Sequence, residues 1–374
     1  MAGFTRLFSF KSRIKFWCIL IVRRSETRHM LIAQNVRQHA KKSMQMDKLS
    51  MTKEINDWQY SAIIDLSVNK MELTIIPKVK IPIPDRLVKY YGLKNHNIDS
   101  VTNNYLYASH PFDLNDPFDC FSKLISFDNI PLDMCIRFMS LFQMPKETVE
   151  ELYNNERQKL YENIKNLFYD YTYSKLGIIS MTSDSIDMQM WTYYSEHKGF
   201  LISFKTENLK KQLHGPFPIN YTKNANSIEF SDNVFIAALY QTNVKSDSWV
   251  KENEWRFLYE SFEPMKLPNI KELRDQQKER RFVYNKSDIE EIVLGFLFFD
   301  PDCVINYSND IATYDFTKSK NKIEIIGLLE YLVKNSDLNI SLIHLQNDLN
   351  YRLTKRKISV SKIKDNIYSY KRIE

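Results

Sequence analysis

Two carboxylates and a guanidinium fall at alternate positions in Glu252-Asn253-Glu254-Trp255-Arg256, with Lys245 and Trp249 upstream and Phe257-Leu258-Tyr259 directly after. Alternate residues of a strand share a face. The aromatic run predicts a strand over 254–259, which sets Glu254 beside Arg256. Glu252 joins them if the strand starts earlier. Such a set can neutralise itself as an ion network. It can also present an ionised carboxylate to a substrate while the arginine keeps it charged.

Three other segments set polar groups among aromatics. Lys89-Tyr90-Tyr91 follows Arg86 and reads as an amphipathic strand with a basic group on it. Asn115-Asp116-Pro117-Phe118-Asp119 is a strong turn former, because Asn and Asp bond their own backbone and Pro fixes φ. Its carboxylates either complete the turn or face a pocket. Trp191, Tyr194, His197 and Lys198 lie in an aromatic stretch closed by Gly199; a His-Lys-Gly turn can present both bases to an anionic group.

The elements that must position these groups are legible in outline. Periodicity predicts one helix over 146–174, entered after Pro145 and followed by Gly177. Short helices are expected at 188–194 and 231–242, and an amphipathic helix over 322–334. Strands are expected at 101–109, 178–182, 200–204, 254–259, 289–294 and 340–344. Residues 71–84, with Pro77, Pro82 and Pro84, read as an extended approach segment. The mixture gives an α+β fold: a single domain over 51–345 with a central, mostly antiparallel sheet flanked by helices. Residues 346–374 read as a basic C-terminal arm.

Composition limits the chemistry. The chain has 374 residues and only 7 Gly, and it lacks Gly-x-Gly-x-x-Gly and Gly-Lys-Ser/Thr loops, which argues against Rossmann and P-loop sites. The net charge is +6, but residues 1–46 hold ten Lys and Arg against Glu26 alone, which leaves −3 on the remainder. A near-neutral body does not favour nucleic acid. Four scattered cysteines without a Cys-x-x-Cys fit a reducing, cytoplasmic setting. The seven histidines include no i, i+4 pair, so metal ligation by them is not expected. The apolar run 16–22 is far short of the roughly 20 residues of a membrane helix. Residues 1–50 are expected to be a basic, poorly ordered extension, with Met44, Met46 or Met51 as an alternative start. The spacing fixes no oligomeric state.

In their order, the segments resemble a bacterial family, the domain of unknown function 2971. The pieces are Lys89-Tyr90, Leu106-Tyr107-Ala108-Ser109, Leu114 to Asp119, Gly177 to Ser180, Met190-Trp191 with Tyr194, His197 to Phe200, then Lys245, Trp249, Glu252 to Arg256 and Ile289 to Gly295. The resemblance runs from about Arg86 to about residue 345 and implies little about activity. By analogy with Arg-Ser-Glu ADP-ribosyltransferases, Arg86 or Lys89 would hold a phosphate of NAD, Ser180-Met181-Thr182-Ser183 would shape the nicotinamide pocket, and Glu254 of Glu252-x-Glu254 would polarise a ribose hydroxyl. Ser-Met-Thr-Ser departs from the Ser-Thr-Ser of those enzymes.

Three functions follow. The first is a non-catalytic binding or sensing module for a nucleotide-like or other anionic small ligand, held by Lys89, Tyr90, Asn115, Asp116, Ser180, Trp191, Tyr194, His197, Lys198 and Arg256. The second is an NAD-using ADP-ribosyltransferase with Glu254 and Glu252 catalytic, a phage-defence effector by the kind of family resembled. The third is a metal-dependent nuclease using Asp116, Asp119, Glu252 and Glu254.

Overall fold

The computed structural model describes residues 48–65, 70–140, 142–230, 234–260, 280–308, 310–346 and 352–373. The chain is α+β, and an eleven-stranded sheet is its spine. Across that sheet the order is Val304–Ser308, Ile311–Asp315, Ile367–Arg372, Leu353–Lys364, Ile340–Leu345, Ile289–Leu294, Phe200–Lys205, Arg86–Tyr91, Leu176–Thr182, Glu254–Glu260 and His214–Pro218. Every neighbouring pair is antiparallel except Ile289–Leu294 with Ile340–Leu345.

Central strands read as continuous apolar runs because both faces are covered. Phe200-Leu-Ile-Ser-Phe204 is buried throughout. The Glu254 strand divides its side chains by the pleat. Trp255 and Phe257 enter one core, with Phe200, Ile202 and Leu328. Leu258 enters the other, with Ile164, Phe168 and Phe230. Helix Lys322–Lys334 covers the first core with Ile325, Leu328, Leu329 and Leu332.

Several expectations change. The single helix over 146–174 is two, Lys146–Asn155 and Arg157–Lys175, because Glu156 leaves helical geometry (φ −136°). The strand over 101–109 shrinks to Tyr105–Tyr107, since helix Asn95–Thr102 takes its start. The approach segment contains strand Lys70–Pro77, third in a meander with Lys48–Ile55 and Trp58–Asp65. Asn56 and Asp57 both take positive φ between the first two strands, the geometry of a two-residue hairpin. Residues 48–50 of the expected extension begin that meander; 1–47 lie outside the described residues.

The basic stretch 346–374 forms strands Leu353–Lys364 and Ile367–Arg372 rather than an arm. Its buried apolar side chains are Leu353, Ile358, Ile367, Tyr368 and Tyr370, while Lys355, Arg356 and Lys357 are exposed. The sparse apolar positions decide the fold, and the charge lies on the wetted side. Among the described residues, no helix is long and apolar enough to cross a membrane.

Candidate functional site

The Lys89 strand (Arg86–Tyr91) and the Ser180 strand (Leu176–Thr182) pair only at Val88 and Thr182. Beyond that bridge they part. The backbone carbonyl of Ser180 accepts instead from the Lys89 ammonium, 3.1 Å away. A pocket of about 200 Å³ opens here, lined on one side by Val88, Lys89, Tyr90 and Ser180 and on the other by Tyr194, Lys245, Glu252 and Glu254.

The acidic wall is built by a tight reversal. Glu252 ends the 3-10 turn Asp247–Glu252, and Asn253 takes left-handed geometry (φ 45°), which Asn tolerates. Glu254 then opens its strand. So Glu252 reaches the cluster from the turn and not by strand alternation.

Lys245 Nζ lies 2.6 Å from Glu252 Oε2, 2.8 Å from Glu254 Oε2 and 4.0 Å from Asp119. Arg256, 1% exposed, uses all five donors. Its Nε donates to Glu254 Oε1 (2.8 Å), and Nη1 to Asp119 Oδ1 (2.8 Å) and the Thr242 carbonyl (2.8 Å). Its Nη2 donates to Asp119 Oδ2 (2.5 Å) and Glu254 Oε2 (3.2 Å). The Tyr194 hydroxyl donates to Glu252 Oε1 at 2.6 Å.

Titration follows from these partners. Burial alone would raise Glu254, but Arg256 and Lys245 outweigh it and hold its carboxyl down at about 2. Burial pushes Lys89 down to about 8, against a small upward pull from Glu254. Burial also raises the Tyr194 phenol, helped by its bond to the Glu252 carboxylate. Glu254 is therefore a fixed anion rather than a proton carrier near neutral pH. Lys89 is the group poised to change protonation.

Of the residues expected at a site, Lys89, Tyr90, Asn115, Ser180, Tyr194, Glu252 and Glu254 line this pocket. Arg256 stands behind Glu254 as its clamp. Asp116 is buried in its own turn, where Oδ1 accepts from the Phe118 amide at 2.9 Å. Trp191 is fully buried, donates to the Ser185 carbonyl (3.1 Å) and packs edge-on against Tyr90, so it backs the pocket from outside.

His197 and Lys198 do not line the pocket. The His197 ring sits 2.9 Å from Thr192 Oγ1 and against Phe296, burial lowers its pKa, and Lys198 is exposed. Their turn serves backbone packing. A Cβ at Gly199 would stand 2.0 Å from the Tyr91 carbonyl oxygen, and one at Gly295 2.3 Å from that of His197. Arg86 pairs with Glu290 at 3.3 Å on the surface.

Sequence reasoning left Lys245 out of the site and gave Asp119 only to the nuclease. Two acids beside one arginine leave a negative charge to neutralise when buried, and Lys245, seven residues before Glu252, was the nearby signal. Asp119 lies 137 residues from Arg256, and no local pattern joins them. Among the described residues no group of three or more His, Cys, Asp or Glu is arranged to hold a metal. The space between Asp119, Glu252 and Glu254 belongs to Lys245.

A family model described as a protein of unknown function (DUF2971) matches residues 190–257. The chain carries a DUF2971 segment. That segment runs from the Trp191 helix through Lys245 and Glu252 to Arg256, so it supplies the acidic wall of the pocket. No curated protein and no solved structure matches the chain.

Proposed function

We propose that the pocket is a binding module for a small, nucleotide-like anionic ligand, with Lys89 holding the anion. One observation carries this reading. Among the described residues, Lys89 is the pocket cation without an ion-pair partner; its bond goes to a backbone carbonyl. A half-buried charge without a partner is costly, and an anion entering the pocket supplies one. The acids opposite are already held by Lys245, Arg256 and the Tyr194 hydroxyl, which suits a scaffold. Calorimetric titration with inorganic pyrophosphate and ADP tests this. Binding by wild type, weakened at least about tenfold in Lys89→Met, supports it; equal affinities in the two proteins sink it.

A second reading is favoured by the strand order. Lys89, Ser180 and Glu254 sit on three successive strands of the sheet, the arrangement that NAD cleavage by an ADP-ribosyltransferase asks of a basic residue, a serine and a glutamate. It ranks second because Arg256 and Lys245 already occupy both oxygens of Glu254, so a ribose hydroxyl has to compete for them. Incubation with NAD decides: nicotinamide release lost in Glu254→Gln favours it, and intact NAD with wild type removes it. A cytoplasmic setting is part of the proposal, since Cys120, Cys135 and Cys303 are free and buried.

A further inference from the structure

The inner pocket continues outward into a basin of about 690 Å³. Asn115, Met190, Tyr194 and Glu252 border both spaces and so form a neck between them. The two compartments differ in chemistry. The inner one holds Lys89. The outer one is bordered, beyond the neck, by the rings of Tyr193 and Trp249, the amide of Gln189, the hydroxyl of Ser248 and the charged Asp187 and Lys251.

Tyr193 is 68% exposed, a large ring left in water at the rim. Trp249 is oriented from the other side, where the Lys245 ammonium lies 5.2 Å from its ring centroid; a cation at a ring face holds an indole in place. Together they offer stacking surface to a planar ring. At the neck the Glu252 oxygens already accept from Lys245 and Tyr194, so a hydroxyl there finds their remaining lone pairs and the Asn115 amide, whose own bond to Tyr194 is long at 3.5 Å.

We propose that pocket and basin are two subsites of one nucleotide site, with the base stacked at Tyr193 and Trp249, the sugar at the neck and the phosphate against Lys89. This rests on the reading of Lys89 as an anion anchor and adds the ligand class and its direction. A base presents a π-face to an aromatic platform whatever its sequence identity, so the basin selects for a ring.

Calorimetry with AMP, ribose 5-phosphate and adenosine separates the two claims. AMP should bind about tenfold tighter than ribose 5-phosphate, the gain from stacking one base on an equal phosphate. Trp249→Ala should close that gap and leave ribose 5-phosphate unchanged. Tyr193→Ala, at an exposed position, should narrow it and guards against a folding defect in the first variant. Lys89→Met should weaken both phosphates about tenfold and leave adenosine unaffected. Equal binding of AMP and ribose 5-phosphate, or a gap that survives both aromatic variants, overturns the basin subsite while the Lys89 anchor stands. Failure of every phosphate probe to bind overturns both.

Discussion

The two walls of the pocket solve the problem of buried charge in opposite ways. On the Glu254 wall, Asp119, Glu252 and Glu254 are met by Lys245 and Arg256, and Arg256 spends every donor inside the protein. On the Lys89 wall, one ammonium faces the same cavity with a carbonyl for company. A closed network fixes the architecture, because removing one member strands the rest. A lone charge contributes little to the fold and leaves its pairing to whatever enters.

The sharpest test breaks the closed wall. Arg256→Met leaves Asp119 and Glu254 buried without their clamp and should cost about 3–5 kcal/mol, measured by urea unfolding. A loss under about 1 kcal/mol would mean the network is no scaffold.

Next is the acid limb of stability. The Glu254 carboxyl lies near 2 in the folded chain against 4.5 ordinarily. Its folded value is depressed, so its contribution is present above 4.5 and is lost as pH falls toward 2. The effect is on the order of 3 kcal/mol. Glu254→Gln should be less stable at neutral pH and flatter across that window. A parallel pair of curves argues against the assignment.

Lys89 should behave in reverse. Its ammonium lies at about 8 folded against 10.5 ordinarily, so between those values the unfolded chain binds the extra proton and stability rises with pH. Lys89→Met should equal or exceed wild type near pH 7, and the difference should shrink as pH climbs from 8 to 10.5. A variant clearly weaker than wild type at pH 7 would assign Lys89 to the scaffold. The smallest effect is at the neck. Tyr194→Phe removes the donor to Glu252 and should cost about 1 kcal/mol, with Lys245 still holding that carboxylate.

The sequence determined most of the elements around the site. Glu254–Glu260, Phe200–Lys205, Ile289–Leu294 and Lys322–Lys334 follow from pleat and helix periodicity, which are local properties of apolar spacing. The pairing of Glu254 with Arg256 follows too, because two residues on one strand face cannot avoid each other. Local pattern misled where charge outnumbered the apolar positions, as in Leu353–Lys364. It also missed Glu156, a single residue whose geometry splits a periodic run.

Tertiary structure decided the rest. Asp119 meets Arg256 across 137 residues, and Ser180 meets Lys89 across 91. No spacing rule reaches so far, because those contacts depend on which strands become neighbours. His197 and Lys198 looked reactive by type, yet Gly199 and Gly295 commit their turn to backbone contact. The opening trio of Glu252, Glu254 and Arg256 was visible in the sequence. Its closure by Lys245 and Asp119, and the lone ammonium across the cavity, came from the sheet that brought distant strands within bonding range.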